Sequence, residues 1–276
     1  ASLLALRRVM TDWLQVCRDA AVAVAGVLEE MPTRLEREPR VGDGEGGDET
    51  TAIDAAAEEA VVRRLEEVET GFTLVSEELG ERVFGDGGDG LRIVCDPIDG
   101  SMNAKRGIPF FSLSLAVASG PRMEDVELGF VHDLGTGEEW VARKGEGAFL
   151  NGEPLTGPGP KERIEILSFE ATRTDLVAEH VAEMVGLAYR TRIMGSLALT
   201  LCHLAAGRVD AVVSLKPARS VDIAAAQLLV RERGLAIDLP DDPPFGVAPL
   251  DLAGRSRVVA AATTELCAEL HARLLK

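Results

Sequence analysis

The chain has 276 residues, 46% of them hydrophobic, and a formal net charge of −17. That length buries a substantial core, as one large domain or two small ones. So acidic a balance repels polyanions and argues against nucleic acid as a partner, and the longest apolar stretch, Ala20 to Leu28, is too short and too Ala-rich to span a bilayer.

Leu3 to Glu30 repeats apolar residues at helical spacing, with Asp12, Arg18 and Asp19 on another face, and predicts a long amphipathic helix. Arg34 to Gly47 is charged and Gly-rich, and is expected to be a mobile loop. The acidic run Asp48-Glu49 to Asp54 then leads into a helix over Ala52 to Val68. Strand patterns follow at Phe72 to Val75, Arg92 to Cys95, Phe111 to Ala118, Leu128 to His132, Glu139 to Arg143 and Ala148 to Leu150. Leu134-Gly135-Thr136-Gly137 between two of them is an antiparallel hairpin signature.

Pro154 to Pro160 is rich in Gly and Pro and marks a link between domains. The expected division is an α+β domain over residues 1–157, with an antiparallel sheet, and an α/β domain over 158–276. In the second, strands at Ile164 to Ser168, Tyr189 to Ile193 and Ala211 to Ser214 alternate with helices at Thr174 to Val185, Ser196 to Ala206 and Ile223 to Val230. Strands near Leu235 and Val258 and a terminal helix complete it, and no internal repeat is visible.

Four cysteines (Cys17, Cys95, Cys202, Cys267) lie far apart without Cys-x-x-Cys spacing, and no basic-then-apolar leader opens the sequence. Reduced core thiols in a cytoplasmic protein are therefore expected. The four histidines form no transition-metal pattern, and His132 and His203 read as structural.

The chemistry concentrates in acidic clusters. Asp96-Pro97-Ile98-Asp99-Gly100-Ser101 follows the apolar run Ile93-Val94-Cys95, so it reads as a strand ending in a turn. Proline fixes that turn and Gly100 permits a backbone conformation that most residues avoid. Two carboxylates three positions apart there repel each other unless a cation sits between them, and oxygen ligands favour a hard ion such as Mg²⁺. Glu77-Glu78 ends the strand that begins at Phe72, and Asp222 opens the apolar helix that follows Ser220-Val221. Taken singly, an Asp at a helix start is most often an N-cap and a Glu-Glu pair is most often solvated. The joint pattern is what points to a metal site.

In order, spacing and residue type these segments resemble the inositol monophosphatase family of Mg²⁺-dependent, lithium-sensitive sugar-phosphate phosphatases. The likeness runs through Asp48 to Asp54, Glu77-Glu78, Asp96 to Ser101, Gly145 to Gly152 and Gly195-Ser196 to Asp222. Asn103 to Pro109 and Ser112 to Leu115 are similar to the archaeal-type branch that acts on both inositol monophosphate and fructose 1,6-bisphosphate. The resemblance implies a layered α-β-α-β-α sandwich, a homodimer, and Mg²⁺ at two to three positions per site, with Mn²⁺ as an alternative.

It further implies that Glu78, Asp96, and the Ile98 carbonyl hold one metal with Ser101 beside it, while Asp96, Asp99 and Asp222 hold a second. Glu77 would bind or orient water at a third. A metal-activated water would attack the phosphate, deprotonated with help from Ser101 backed by Asp54. Backbone N–H groups of Gly100 and Ser101 would bind phosphate oxygens. Members of the family often have Thr where this chain has Ser101.

Many inositol-specific members also carry a Trp and an acidic residue where this chain has Val221 and Leu215, so strict inositol specificity is not implied. Lys216 and Arg219, joined by Arg192 beside Gly195-Ser196, are candidates for gripping a second phosphate. The substrate implied is a small phosphorylated polyol or sugar. A 3′-nucleotide or NADP phosphatase is the alternative within the superfamily, weakened by an aromatic content of only 4%. A catalytically silent, ligand-binding regulatory homologue is the alternative outside it, although no ligand of the pattern is lost.

Overall fold

The architecture was taken from a computed structural model that describes residues 11–45, 49–87, 90–170, 173–241 and 243–275. Asp48, Gly46-Gly47 and the part of the first predicted helix before residue 11 lie outside the described residues.

Helix α1 (Trp13–Glu30) begins on the Asp12 cap, whose carboxylate accepts from the Gln15 N–H, and α3 (Ala52–Glu66) packs beside it. Between them stand the short helix α2 (Arg34–Arg37) and the hairpin of β1 (Arg40–Asp43) with β2 (Glu49–Thr51). The expected loop thus carries structure, and Arg37 explains why. Its guanidinium donates to the carbonyls of Leu28, Met31 and Ala104, at 3.1, 2.6 and 2.8 Å, tying α2 to the helices on either side.

An eight-stranded sheet follows, in the order β10-β9-β8-β7-β6-β5-β3-β4. Its strands are β3 (Phe72–Ser76), β4 (Gly80–Phe84), β5 (Arg92–Asp99), β6 (Ser112–Ala118), β7 (Val126–Asp133), β8 (Glu139–Arg143), β9 (Gly147–Leu150) and β10 (Glu153–Pro154). All neighbours run antiparallel except β3 and β5. The β7–β8 turn closes as its sequence predicts, with Asp133 Oδ1 accepting from the N–H groups of Gly135 and Thr136. Strand β4 escaped the sequence reading because Glu81, Arg82 and Val83 are exposed on a sheet edge and show no buried alternation.

Beyond Pro154–Pro160 comes a five-stranded sheet ordered β12-β11-β13-β15-β14. It comprises β11 (Ile166–Glu170), β12 (Arg190–Arg192), β13 (Ala211–Ala218), β14 (Ala236–Asp238) and β15 (Ser256–Ala261). Helix α5 (Thr174–His180) buries none of its residues fully, resting half-buried Leu176 and Val177 on the outer cluster, and ends short of the expected Val185. Helices α6 (Leu197–Ala205) and α7 (Ser220–Glu232) are almost wholly buried, and α8 (Thr264–Leu274) closes the chain.

Three apolar clusters give the order of the layers. Cys17, Ala20 and Val24 of α1 and Ile53, Ala57 and Val61 of α3 pack with Leu113, Leu115 and Val117 of β6. The alternate residues of β6, Ala116 and Ala118, join α6, α7 and Val212, Val258 and Ala260 of the second sheet. The outer face of that sheet, through Val213, Val259 and Ala261, meets Cys267, Leu270 and Leu274 of α8. The stack is therefore α-β-α-β-α, as the resemblance implies.

Small residues let its middle layer close. A Cβ on Gly129 of β7 would fall 2.3 Å from the Ala225 carbonyl oxygen of α7, so only glycine permits this approach. It brings the N-terminus of α7, with Asp222, toward the end of β5. All four cysteines are buried and free. His203 packs edge-on to Phe110 and His132 stacks on Phe130, both as packing groups. Among the described residues no helix is long and apolar enough to cross a membrane.

Candidate active site

The end of β5 is buried and irregular. Its register against β6 shifts between Asp96 and Asp99, and Asp96 Oδ1 accepts from the Ile98 N–H at 2.9 Å. Gly100 then adopts a left-handed conformation (φ 93°) and starts the short helix α4 (Ser101–Arg106). A side chain at Gly100 would meet the Gly195 and Phe110 carbonyl oxygens at 3.0 and 3.2 Å, so the glycine is required twice over, by conformation and by space.

Three carboxylates converge here from separate elements. Single oxygens of Glu77 (after β3), Asp96 (β5) and Asp222 (α7) lie within 4.8 Å of one another. Asp222 also serves its helix: it occupies the third helical position and its Oδ2 accepts from the Arg219 N–H at 2.7 Å. Asp54 plays the matching part in α3, accepting from the Thr51 N–H at 3.1 Å and hydroxyl at 2.5 Å. Capping and clustering are thus not alternatives at Asp222, because the cap fixes the side chain that the cluster uses.

The electrostatics of the cluster call for positive charge. Burial pushes the Asp96 carboxyl well above the usual carboxylate range, with Glu77, Asp99 and Asp222 adding to the shift and Arg219 opposing it. Burial likewise lifts Glu77 to about 8, against the pull of Arg219. Asp99 rises to about 7 through burial and the charge of Asp222. Crowded, buried carboxylates of this kind are stabilised in their ionised form by a divalent cation, and an all-oxygen donor set suits Mg²⁺. The residues present therefore fit the ion that the sequence implies.

The other expected site residues fall in distinct places. Glu78 lines the same cavity as the cluster and accepts a hydrogen bond from the Thr50 hydroxyl, while the three grouped carboxylates include its neighbour Glu77. Asp99 stands beside the cluster, accepting from the Ser196 hydroxyl and from the Ala198 N–H at 2.8 Å. The Asp54 carboxylate accepts from Thr51 through one oxygen, Oδ2, and lines the same cavity as Ser101.

Asp54, Ile98, Gly100, Ser101, Gly195 and Lys216 all line one cavity of about 910 Å³ with the three clustered carboxylates. Arg219 also lines it but forms an ion pair with Glu77, so it faces the carboxylates rather than open solvent. Arg192 does not line this cavity. It is exposed on the edge strand β12, where its guanidinium donates to the Thr191 carbonyl at 2.9 Å.

Three contributors went unseen in the sequence. Glu58, one helical turn after Asp54, is buried and accepts from the Glu78 N–H at 3.1 Å, fixing the backbone that presents Glu77. Burial raises its carboxyl to about 7. Its spacing from Asp54 was the available signal. Glu170, at the end of β11, accepts from the Gly195 N–H at 3.0 Å and the Thr200 hydroxyl at 2.8 Å, holding the turn that carries Ser196. Burial raises it too. Arg255 lines the cavity just before β15, and nothing in its local sequence marks it.

A family model described as the inositol monophosphatase family matches residues 11–276. The chain is 36% identical over 229 residues to the fructose-1,6-bisphosphatase/inositol-1-monophosphatase of Methanothermobacter thermautotrophicus, covering 76% of this chain and 81% of the relative. It is 32% identical over 268 residues to the protein of that description from Archaeoglobus fulgidus, covering 96% and 97%. Among solved structures, the inositol monophosphatase-fructose 1,6 bisphosphatase product of gene MJ0109 superposes with a TM-score of 0.81 at 26% identity, covering 96% of this chain and 100% of that one. With its fold, its acidic cluster and these likenesses, the chain belongs to the inositol monophosphatase family.

Proposed function

We propose that this chain is a Mg²⁺-dependent phosphomonoesterase acting on inositol 1-phosphate and fructose 1,6-bisphosphate. The convergence of Glu77, Asp96 and Asp222 on the cavity that also contains Ser101 and the start of α4 carries the reading. The two archaeal relatives described by both activities support the substrate pair. A homodimeric state and a cytoplasmic setting go with the family resemblance and with the free buried thiols.

Glu77, Asp96 and Asp222 are the residues to hold the cation, with Asp99 and the Ile98 carbonyl alongside. When bound, it neutralises phosphate charge, stabilises the leaving alkoxide and makes an attacking water easier to deprotonate. The protein supplies the rest. Ser101 hydrogen-bonds that water and passes its proton toward Asp54, whose Oδ2 is held by Thr51, leaving Oδ1 for the Ser101 hydroxyl. Backbone N–H groups of Gly100 and Ser101 orient the phosphoryl oxygens.

Leu215 and Val221 are both buried apolar residues, so neither offers a carboxylate to inositol hydroxyls. Lys105, Lys216 and Arg255 line the cavity and suit a second phosphate. No aromatic ring is among the cavity-lining residues described, which disfavours a nucleotide base. The test is phosphate release from inositol 1-phosphate, fructose 1,6-bisphosphate and 3′-phosphoadenosine 5′-phosphate, in Mg²⁺ or in EDTA. Mg²⁺-dependent release from the first two is expected, and release chiefly from the third would replace this reading.

A further inference from the structure

Arg219 occupies the turn between β13 and α7 and is only 9% exposed. Its guanidinium pairs with Glu77 across a sequence separation of 142 positions, and its Nε lies 3.7 Å from Asp222 Oδ2. Glu77 hangs from the eight-stranded sheet, whereas Asp222 opens the helix that follows β13 of the five-stranded sheet. One buried side chain therefore joins ligand carboxylates from both halves of the molecule.

A buried guanidinium is tolerated only when paired, and a buried carboxylate cluster is tolerated only beside positive charge. Each need is met here by the other. The same Glu77 and Asp222 carboxylates are, however, the ones a divalent cation needs, and one oxygen cannot serve guanidinium and metal at full strength together.

We propose that Arg219 is the resident cation of the metal-free site, a positioning residue that clamps Glu77 to Asp222 and is exchanged off Glu77 when a divalent cation enters. The proposal rests on the metal reading above and deepens it. Before metal arrives, the arginine keeps carboxylates from both halves of the molecule assembled. Afterwards its guanidinium remains in the cavity that Lys216 and Arg255 also line, where it suits a phosphate oxygen.

The test is calorimetric titration of the intact chain with Mg²⁺, in the absence of substrate, for wild type, Arg219→Met and Arg219→Lys, with melting of each in EDTA. Loss of the competing guanidinium should tighten Mg²⁺ binding by about ten-fold or more in Arg219→Met, the factor carried by one charge-assisted hydrogen bond. The same variant should melt at a lower temperature in EDTA. Arg219→Lys keeps the charge without the planar fork and should bind Mg²⁺ with intermediate affinity.

Mg²⁺ binding by Arg219→Met that is equal to wild type or weaker would overturn the exchange. If that variant does not fold, Arg219→Lys decides, and affinity no tighter than wild type overturns it again. A wild-type chain that binds no Mg²⁺ would overturn the metal reading and the exchange with it.

Discussion

Ser196 and Asp99 meet across 97 positions of sequence, the serine hydroxyl donating to Asp99 Oδ2 while the Ala198 N–H donates to the same oxygen at 2.8 Å. The serine also caps α6, accepting from the Leu199 N–H at 3.3 Å. One side chain thus starts a buried helix and steers a buried acidic group beside the carboxylate cluster. Ser196→Ala removes both bonds and should cost about 1–2 kcal/mol of stability. Urea unfolding in EDTA measures it, and an unchanged midpoint would remove the coupling between helix start and Asp99.

Glu77 and Glu78 should separate sharply. Glu77 belongs to the carboxylate cluster, whereas Glu78 is held by the Thr50 hydroxyl near the β1–β2 hairpin. Glu77→Gln should lower kcat by at least about a hundred-fold, since even residues behind a metal's ligands commonly contribute up to that factor. Glu78→Gln should lose much less. Steady-state kinetics at several Mg²⁺ concentrations decides, and the reverse order would return Glu78 to the cluster.

Much of this arrangement is legible in the sequence because the residues that carry it sit at element ends with a local signature. Asp96 to Ser101 announces a strand, a turn and a glycine that nothing else can replace, and Asp222 stands at a helix start. The layer order is implied by the family resemblance, and the structure realises it through the alternation along β6, whose Leu and Val face α1 and α3 while its Ala face α6 and α7. What was missed depends on contacts distant in sequence. The choice between Glu77 and Glu78 is made by Thr50 and by Glu58 from another element. Arg219 reads as a candidate for a second phosphate until Glu77 is seen beside it. Arg37, three bonds to carbonyl oxygens in hand, orders a segment whose composition suggests none.

Lys216 lines the cavity and is exposed, so it can meet a second phosphate without disturbing the core. Lys216→Ala should raise KM for fructose 1,6-bisphosphate by about ten-fold, as expected for one charge-assisted contact. The monophosphate has no second phosphate to lose, so its KM should change little, with kcat nearly constant for both. Equal losses on the two substrates would place Lys216 with the reacting phosphate instead.

Asp96 is the residue on which the account turns, since its carboxylate is buried at the centre of the cluster. The most direct measurement is phosphate release by Asp96→Asn and wild type from inositol 1-phosphate and fructose 1,6-bisphosphate, with Mg²⁺ or EDTA, alongside thermal melting. Wild type should turn over both substrates only with Mg²⁺. Asp96→Asn should lose at least about a hundred-fold in kcat. It should keep its fold and melt at a higher temperature than wild type in EDTA, because one buried, repelling charge is gone. Substantial Mg²⁺-dependent turnover by a folded Asp96→Asn would contradict the assignment of this cluster as the catalytic metal site.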